Sequence, residues 1–400
     1  MRRLTTSIGL GLIAISIVIA AATSYYNSKQ REQNLIFAQQ AMLAQLWDTS
    51  KKDQVEAGSN RTVDRMGGNV TTSEGESYTM LRSVWSDDRS TFDKAWTWTK
   101  DNLQRPKDSL FSWRYGKLPD GSYGILTDVG GQNTASDADT DIALALIMAS
   151  QRWHEQKYLS AAQPIIQNIW KQEVVQVNGH PVLAADNVEQ TDQTQILVNP
   201  SYFAPYAYKV FAHVDQTHNW NGLRDNSYAV LAATQVAHFD KTSTDHLIPN
   251  WVVMNRNTGK ISAASGANLD SNYGYDAMRT PFRLALDYAW FKDSRDKSIL
   301  NSMVFLADSW KSSGALASVY SHDFAVVEPT QAPAIYGGSI GYFQLTNPAL
   351  AKQVYDQKLA SLFNPNSQDW KSTLNYYDDN WAWFGLALYG HALTNLTGVK

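Results

Sequence analysis

Three short stretches hold the side chains best suited to chemistry, and in each the reactive group is a carboxylate. The first is Thr72-Ser73-Glu74-Gly75-Glu76-Ser77-Tyr78. Ser73 followed three residues later by Glu76 has the spacing of a capping box, in which each side chain would satisfy the other's backbone N–H at the start of a helix. That gives Glu76 a structural task and leaves Glu74 at the first helical position without one. The helix dipole there lowers a carboxyl pKa, so a proton-donating Glu74 needs burial or a neighbouring carboxylate to raise it again. Local spacing alone reads Glu74 as an ordinary first-turn glutamate.

The second stretch, residues 135–153, reads ASDADTDIALALIMASQRW, with aspartates at 137, 139 and 141. The alternation suggests the opening of a calcium loop, but Ile142 and Met148 stand where that loop requires glycine and glutamate. Ser136 or Asp137 suits an N-cap, with the acids at the positive end of the helix that follows. Three carboxylates exceed what one cap needs, which points to a further cationic or sugar-hydroxyl partner. The third stretch, residues 271–291, carries Asp276 and Arg279 at a spacing that forms an ion pair on one helix face. Pro281 places that pair on a first turn or in the preceding loop. Tyr273 and Tyr275 make the surroundings aromatic.

Two other patterns do not survive inspection. Gly337-Gly338-Ser339-Ile340-Gly341 matches the spacing of a nucleophile elbow, which requires a strand before it and an α/β sheet around it; this region reads as helix and loop. The eight histidines show no zinc-ligand spacing. With no cysteine, thiol nucleophiles, thiolate metal sites and disulfides are excluded together. A net charge of only −4 gives no reason to expect a nucleic-acid partner.

The elements that must position these carboxylates are helical. Apolar residues recur at three- and four-residue spacing in 31–47, 90–104, 141–153 and 158–170, and in later segments that bring the count to about twelve helices. Strands are few. The clearest is a hairpin around Asn178-Gly179, a type I′ turn signal between two β-branched runs. No repeat consensus is visible, so a closed toroid with cleft-building loops such as 111–136 suits the pattern better than a solenoid. The aromatics, 14 Trp, 20 Tyr and 13 Phe, serve either core packing or the stacking of pyranose faces. At the N-terminus, Arg2-Arg3 and the apolar run Ile8–Ala22 predict a signal peptide or signal-anchor over residues 1–29, with residues 30–400 exported as one domain.

Taken together the segments resemble glycoside hydrolase family 8, the former cellulase family D. Residues 135–153 are similar to its signature throughout. Ser73-Glu74-Gly75 with Tyr78 resembles its S-E-G-x-x-Y segment, and Tyr275-Asp276-Ala277-Met278-Arg279 resembles its Y-D-A-x-R segment. Stretches 199–205 (NPSYFAP) and 376–390 also fall in order, so the resemblance covers nearly all of 40–395. It implies an all-α (α/α)6 barrel and inverting hydrolysis of β-1,4-linked glycans without metal or cofactor. Glu74 would be the general acid and Asp276 the general base, with Asp137 holding a distorted sugar and Arg279 keeping Asp276 ionised. Trp85, Trp113, Tyr202, Tyr275 and Tyr377 are implied as stacking platforms or subsite ligands, with Tyr376 and Tyr377 not distinguished. An aspartate base at 276 counts against chitosan, so an endoglucanase acting on cellulose-type or mixed-linkage β-glucan is expected, with xylan as an alternative substrate. A catalytically silent glycan-binding protein is the alternative of another class; a polysaccharide lyase would favour a basic cleft. The chain is expected to be a monomer, reaching a membrane only through its N-terminal segment.

Overall fold

The structure, a computed structural model, describes residues 2–239, 245–266 and 269–400, with side chains from Tyr25 onward except at 28, 31 and 32. Thirteen α-helices run through the described residues: α1 (Arg2–Gln54), α2 (Ser73–Trp85), α3 (Arg89–Asn102), α4 (Ser136–Trp153), α5 (Gln156–Gln172), α6 (Pro205–Val214), α7 (Trp220–Val236), α8 (Arg279–Phe291), α9 (Ser294–Ser302), α10 (Val304–Ser313), α11 (Pro333–Thr346), α12 (Pro348–Val354) and α13 (Tyr376–Tyr389). Helices α2, α4, α6, α8, α11 and α13 form an inner ring, each packed on the next. The ring closes where Tyr78 of α2 meets Tyr376, Trp381 and Phe384 of α13. Helices α3, α5, α7, α9 and α12 lie outside α2, α4, α6, α8 and α11, and α1 packs on α13. This is an (α/α)6 barrel, as the resemblance implies and in keeping with the expected count of about twelve helices.

An inner helix is covered on every side, and its sequence shows it. In α4 every residue from Ser136 to Ser150 is buried, which is why 142–149 is apolar all round rather than striped. Helix α11 solves a tighter problem. A Cβ on Gly337 would lie 2.0 Å from the Trp381 carbonyl oxygen of α13, and one on Gly341 would lie 2.4 Å from the Pro281 carbonyl oxygen of α8. The glycines that mimic a nucleophile elbow are therefore the contact points of three crowded helices. Ser339 between them bonds the Tyr273 hydroxyl at 2.8 Å and is fully buried.

The chain enters several inner helices through small sheets. Strand β1 (Thr71–Thr72) runs directly into α2 and pairs with β2 (Arg114–Lys117), which pairs with β3 (Tyr123–Ile125). The expected hairpin forms as β4 (Val174–Val177) and β5 (His180–Leu183), with positive φ at both Asn178 and Gly179. Strand β6 (Gln195–Val198) leads towards α6 and pairs with β7 (Val252–Asn255), itself paired with β8 (Ile261–Ala263). Further short pairs bring the described strands to twelve, more than the single hairpin expected from sequence. Most are only two to four residues long, too short for an alternation pattern to register.

Among the described residues no helix is long and apolar enough to cross a membrane. The side chains of the Ile8–Ala22 run, on which the expectation of a signal peptide or anchor rests, lie outside the described residues.

Candidate active site

The inner-ring helices present their N-termini at one end of the barrel, and the acidic stretches are found there. Glu74 lies in the first turn of α2, Asp137 in the first turn of α4, Asp276 three residues before α8, and Arg279 at the first position of α8. Helix N-termini carry partial positive charge, so a ring of them tolerates carboxylates where a ring of C-termini would not.

Arg279 joins the three acids. Its Nη1 donates to Glu74 Oε2 at 2.9 Å and to Asp137 Oδ2 at 3.1 Å, while Nη2 pairs with Asp276 Oδ1. Its Nε donates to Ser201 Oγ at 3.1 Å, and the Tyr202 ring lies 5.1 Å from the guanidinium carbon. The arginine and Asp137 are closed off from solvent, whereas the Glu74 and Asp276 side chains keep 22% and 31% of their exposure. Two carboxylates thus reach solvent while the groups that hold them do not. Asp276 is oriented from its other side by the Trp251 indole, whose Nε1 donates to Oδ2 at 2.9 Å. Tyr376 donates its hydroxyl to Glu74 Oε1 at 3.0 Å.

The electrostatics separate the acids. Burial pushes the Glu74 carboxyl up to about 7, with Arg279 pulling it down and Asp137 pushing it further up. The dipole of α2 opposes this, but desolvation at the cleft floor outweighs it. Burial also raises Asp137, against the pull of Arg279 and Arg283. With one arginine among three acids, the cluster cannot neutralise all of them when ionised. A proton on Glu74 relieves the excess.

The capping box expected at Ser73 and Glu76 does not form. The N-cap is Thr72, whose hydroxyl accepts from Gly75 N, so Glu74 occupies the second helical position rather than the first. Glu76 instead points inwards. Its Oε1 accepts the Thr62 N–H at 2.6 Å and its Oε2 meets the Thr99 hydroxyl at 3.3 Å, with burial raising its pKa to about 8. Local spacing cannot reveal that a loop a dozen residues upstream supplies the partner. Nor is α4 capped by Ser136 or Asp137; Ala135 holds the N-cap position without a side-chain bond. The surplus of aspartates has separate partners. Asp137 meets Arg279, Asp141 pairs with Arg283 through two bonds of 2.9 and 2.8 Å, and Asp139 accepts the Phe111 N–H at 3.0 Å.

Of the aromatics singled out from sequence, four come to this end of the barrel. Tyr202 lies against Arg279. Tyr377 donates its hydroxyl to the Tyr275 carbonyl at 2.6 Å, and the two rings stand 6.3 Å apart, with Tyr275 exposed. Trp113 is anchored by its indole N–H on the Gly130 carbonyl at 3.0 Å, and its own carbonyl accepts from Ser73 N at 3.1 Å. Trp85 does not join them. It closes the far end of α2, ~16 Å along the axis from Glu74, with its indole bonded to the Thr394 carbonyl and its ring edge-on to Trp290 and Phe384. It is a packing residue of the opposite face. Tyr376 and Tyr377 are now distinguished by the atoms they bond. Sequence reasoning missed Trp251 and Ser201: the serine lies inside the NPSYFAP stretch already noted, whereas Trp251 precedes β7 with no spacing that ties it to Asp276.

A toroid of inner and outer helices with acids set around one arginine at the helix N-termini defines the class, and comparison with known proteins names the family. The family model for glycosyl hydrolases family 8 matches residues 30–382, and the chain belongs to that family. It is 28% identical to endoglucanase A of Acetivibrio thermocellus over 80% of this chain and 64% of that protein. It is 30% identical to the endoglucanase of Cellulomonas uda over 56% of this chain and 58% of that protein. The chain therefore spans less than two thirds of the length of these curated relatives. Among solved structures, a β-1,3-1,4-glucanase from Paenibacillus sp. X4 superposes with a TM-score of 0.74 at 24% identity, covering 89% of this chain and 92% of that one, which shows the shared fold.

Proposed function

We propose that this chain is an inverting endo-β-1,4-glucanase in which Glu74 is the general acid and Asp276 the general base. One observation carries the reading: Arg279 binds both carboxylates, yet their surroundings differ. Burial and the neighbouring Asp137 raise the Glu74 pKa to about 7 against the pull of Arg279 and the Tyr376 hydroxyl, so it can hold a proton for a glycosidic oxygen. Asp276 receives the guanidinium on one oxygen and the Trp251 indole on the other, two donors that hold its carboxylate in place beside Glu74. A water on the Asp276 side of the cleft would lose its proton to that carboxylate while Glu74 protonates the leaving oxygen. Inversion requires room for that water between the two carboxyls. Asp137, held by the same Nη1 as Glu74, is placed to accept a sugar hydroxyl at the cleavage point.

The names of the relatives support a β-glucan over xylan or chitosan as substrate. The test is reducing-end release from carboxymethylcellulose, lichenan, xylan and chitosan, beside Glu74→Gln. Release from a β-glucan that disappears in the variant is the expected outcome. Binding of a β-glucan without turnover by the unaltered protein would replace this reading with the glycan-binding one. We further propose that residues 1–29 direct export, leaving the barrel secreted or tethered outside the cytoplasmic membrane. The support is the Arg2-Arg3 pair before the Ile8–Ala22 run. Fractionation of cells producing the full chain tests this; activity confined to the cytosol contradicts it.

A further inference from the structure

Asp139 belongs to the same acidic stretch as Asp137 and Asp141 but faces away from every arginine that they use. Its carboxyl faces that of Glu173, the residue between α5 and β4, close enough for the two to share a proton. Both residues are completely buried. Asp139 Oδ1 is occupied by the Phe111 N–H, while Asp139 Oδ2 and both Glu173 oxygens are buried without a donor at hydrogen-bond geometry, the Thr134 hydroxyl being a neighbouring donor to Glu173. Arg105 is the cation that reaches the pair, and it is already tied to Asp108 at 2.8 Å and to the Asn187 side chain at 2.7 Å. Asp108 and Asp186 add further negative charge from the adjoining turn and loop. Two touching carboxylates in a dry interior are not both ionised; one holds a proton and donates it to the other.

What this pair holds leads to the cleft. The Phe111 N–H that Asp139 accepts begins a segment whose Trp113 carbonyl, two residues on, accepts the Ser73 N–H at 3.1 Å. Ser73 is the first residue of α2 and Glu74 the next. We propose that Asp139 and Glu173 share one proton and act as positioning residues: the bonded pair fixes segment 111–113, and that segment fixes the turn from which Glu74 projects. The role towards Glu74 rests on the proposed function; the shared proton does not.

Burial raises Asp139 to about 8 and Glu173 well above its usual range. A carboxyl that keeps its proton longer in the folded state contributes stability that is complete below its unfolded pKa of roughly 4 and is lost as pH climbs through the folded value. The thermal midpoint of the full chain is therefore expected to fall from pH 5 to pH 9. Glu173→Gln removes the proton that is lost and should make that fall smaller by about 3 °C. A slope in Glu173→Gln equal to that of the unaltered protein overturns the shared proton.

Positioning has its own readout. Glu173→Ala should lower kcat about ten-fold at pH 6 with KM little changed, and Glu173→Gln should recover most of it. Asp296→Asn, which alters a second buried acid pair bridged by Tyr228 away from the cleft, should flatten the stability profile and leave kcat unchanged. Unchanged kcat in a folded Glu173→Ala overturns the positioning role. Should that variant not fold, amide exchange in the unaltered protein decides: protection at Phe111 and Ser73 is expected to fall together above pH 8, and independent behaviour contradicts the proposal. If no glycan is turned over, the stability slope and the exchange data still judge the proton.

Discussion

Helices α4 and α8 touch through two Arg–Asp pairs one helical turn apart, and the two pairs have opposite characters. Deeper in the barrel, Arg283 meets Asp141 through both nitrogens and also donates to the Tyr206 hydroxyl at 2.7 Å, with all charged atoms buried. One cation faces one anion, and the pair is closed. One turn towards the cleft, Arg279 meets Asp137, but also Glu74 and Asp276, and two of those three acids reach solvent. The same two helices thus carry a charge-balanced lock and, above it, a site with too little positive charge. The lock holds the helices in register. Above it, burial and then the neighbouring Asp137 push the Glu74 pKa up, and Asp276 reaches solvent.

Neutralising one member of each layer should separate the two. Glu74→Gln or Asp276→Asn should cost about 10³-fold in kcat, the scale of a lost general acid or base, while the thermal midpoint does not drop, because Asp276→Asn removes an excess negative charge and Glu74→Gln replaces a carboxyl that already holds its proton. Asp141→Asn should do the reverse, costing about 3–5 kcal/mol of stability by leaving Arg283 buried and uncompensated. Urea unfolding of the two sets, read beside kcat, checks both expectations; a strongly destabilised Asp276→Asn would erase the distinction between the layers.

Titration sharpens the upper layer. A general acid works only while protonated, so kcat should decline above a pH of about 7 as Glu74 loses its proton. The same shift removes stability across the range from its unfolded value up to that point, since the folded state holds the proton more tightly. A smaller effect is expected at Tyr376, whose hydroxyl bond favours the ionised form of Glu74. Tyr376→Phe should therefore move the alkaline limb of the kcat profile to higher pH with only a modest change in its height. A downward displacement would assign that hydroxyl a different role.

The sequence exposed the layers unevenly. Helix periodicity gives the number of helices, while the barrel and the acids that meet at Arg279 can be named because the short motifs stand in a recognisable order. Spacing of three or four residues, however, reports only on neighbours along one helix. Glu76 fitted a local cap and is held instead by Thr62 and Thr99, brought in from a loop and another helix. Trp85 shares α2 with Glu74 but faces the other end of the barrel, a separation that helix rise alone reveals once its partners are known. Trp251 and the Asp141–Arg283 lock depend on contacts between residues far apart in the chain, which no single-sequence pattern encodes.

Inverting hydrolysis depends most directly on the division of labour between Glu74 and Asp276. Proton NMR of the first products released from a soluble β-glucan, recorded before mutarotation, measures it. Appearance of the α-anomer first, abolished by Asp276→Asn, is the expected result, since water activated by Asp276 attacks the face opposite the leaving group. First appearance of the β-anomer would mean retention through a covalent intermediate and would contradict the roles assigned to both carboxylates.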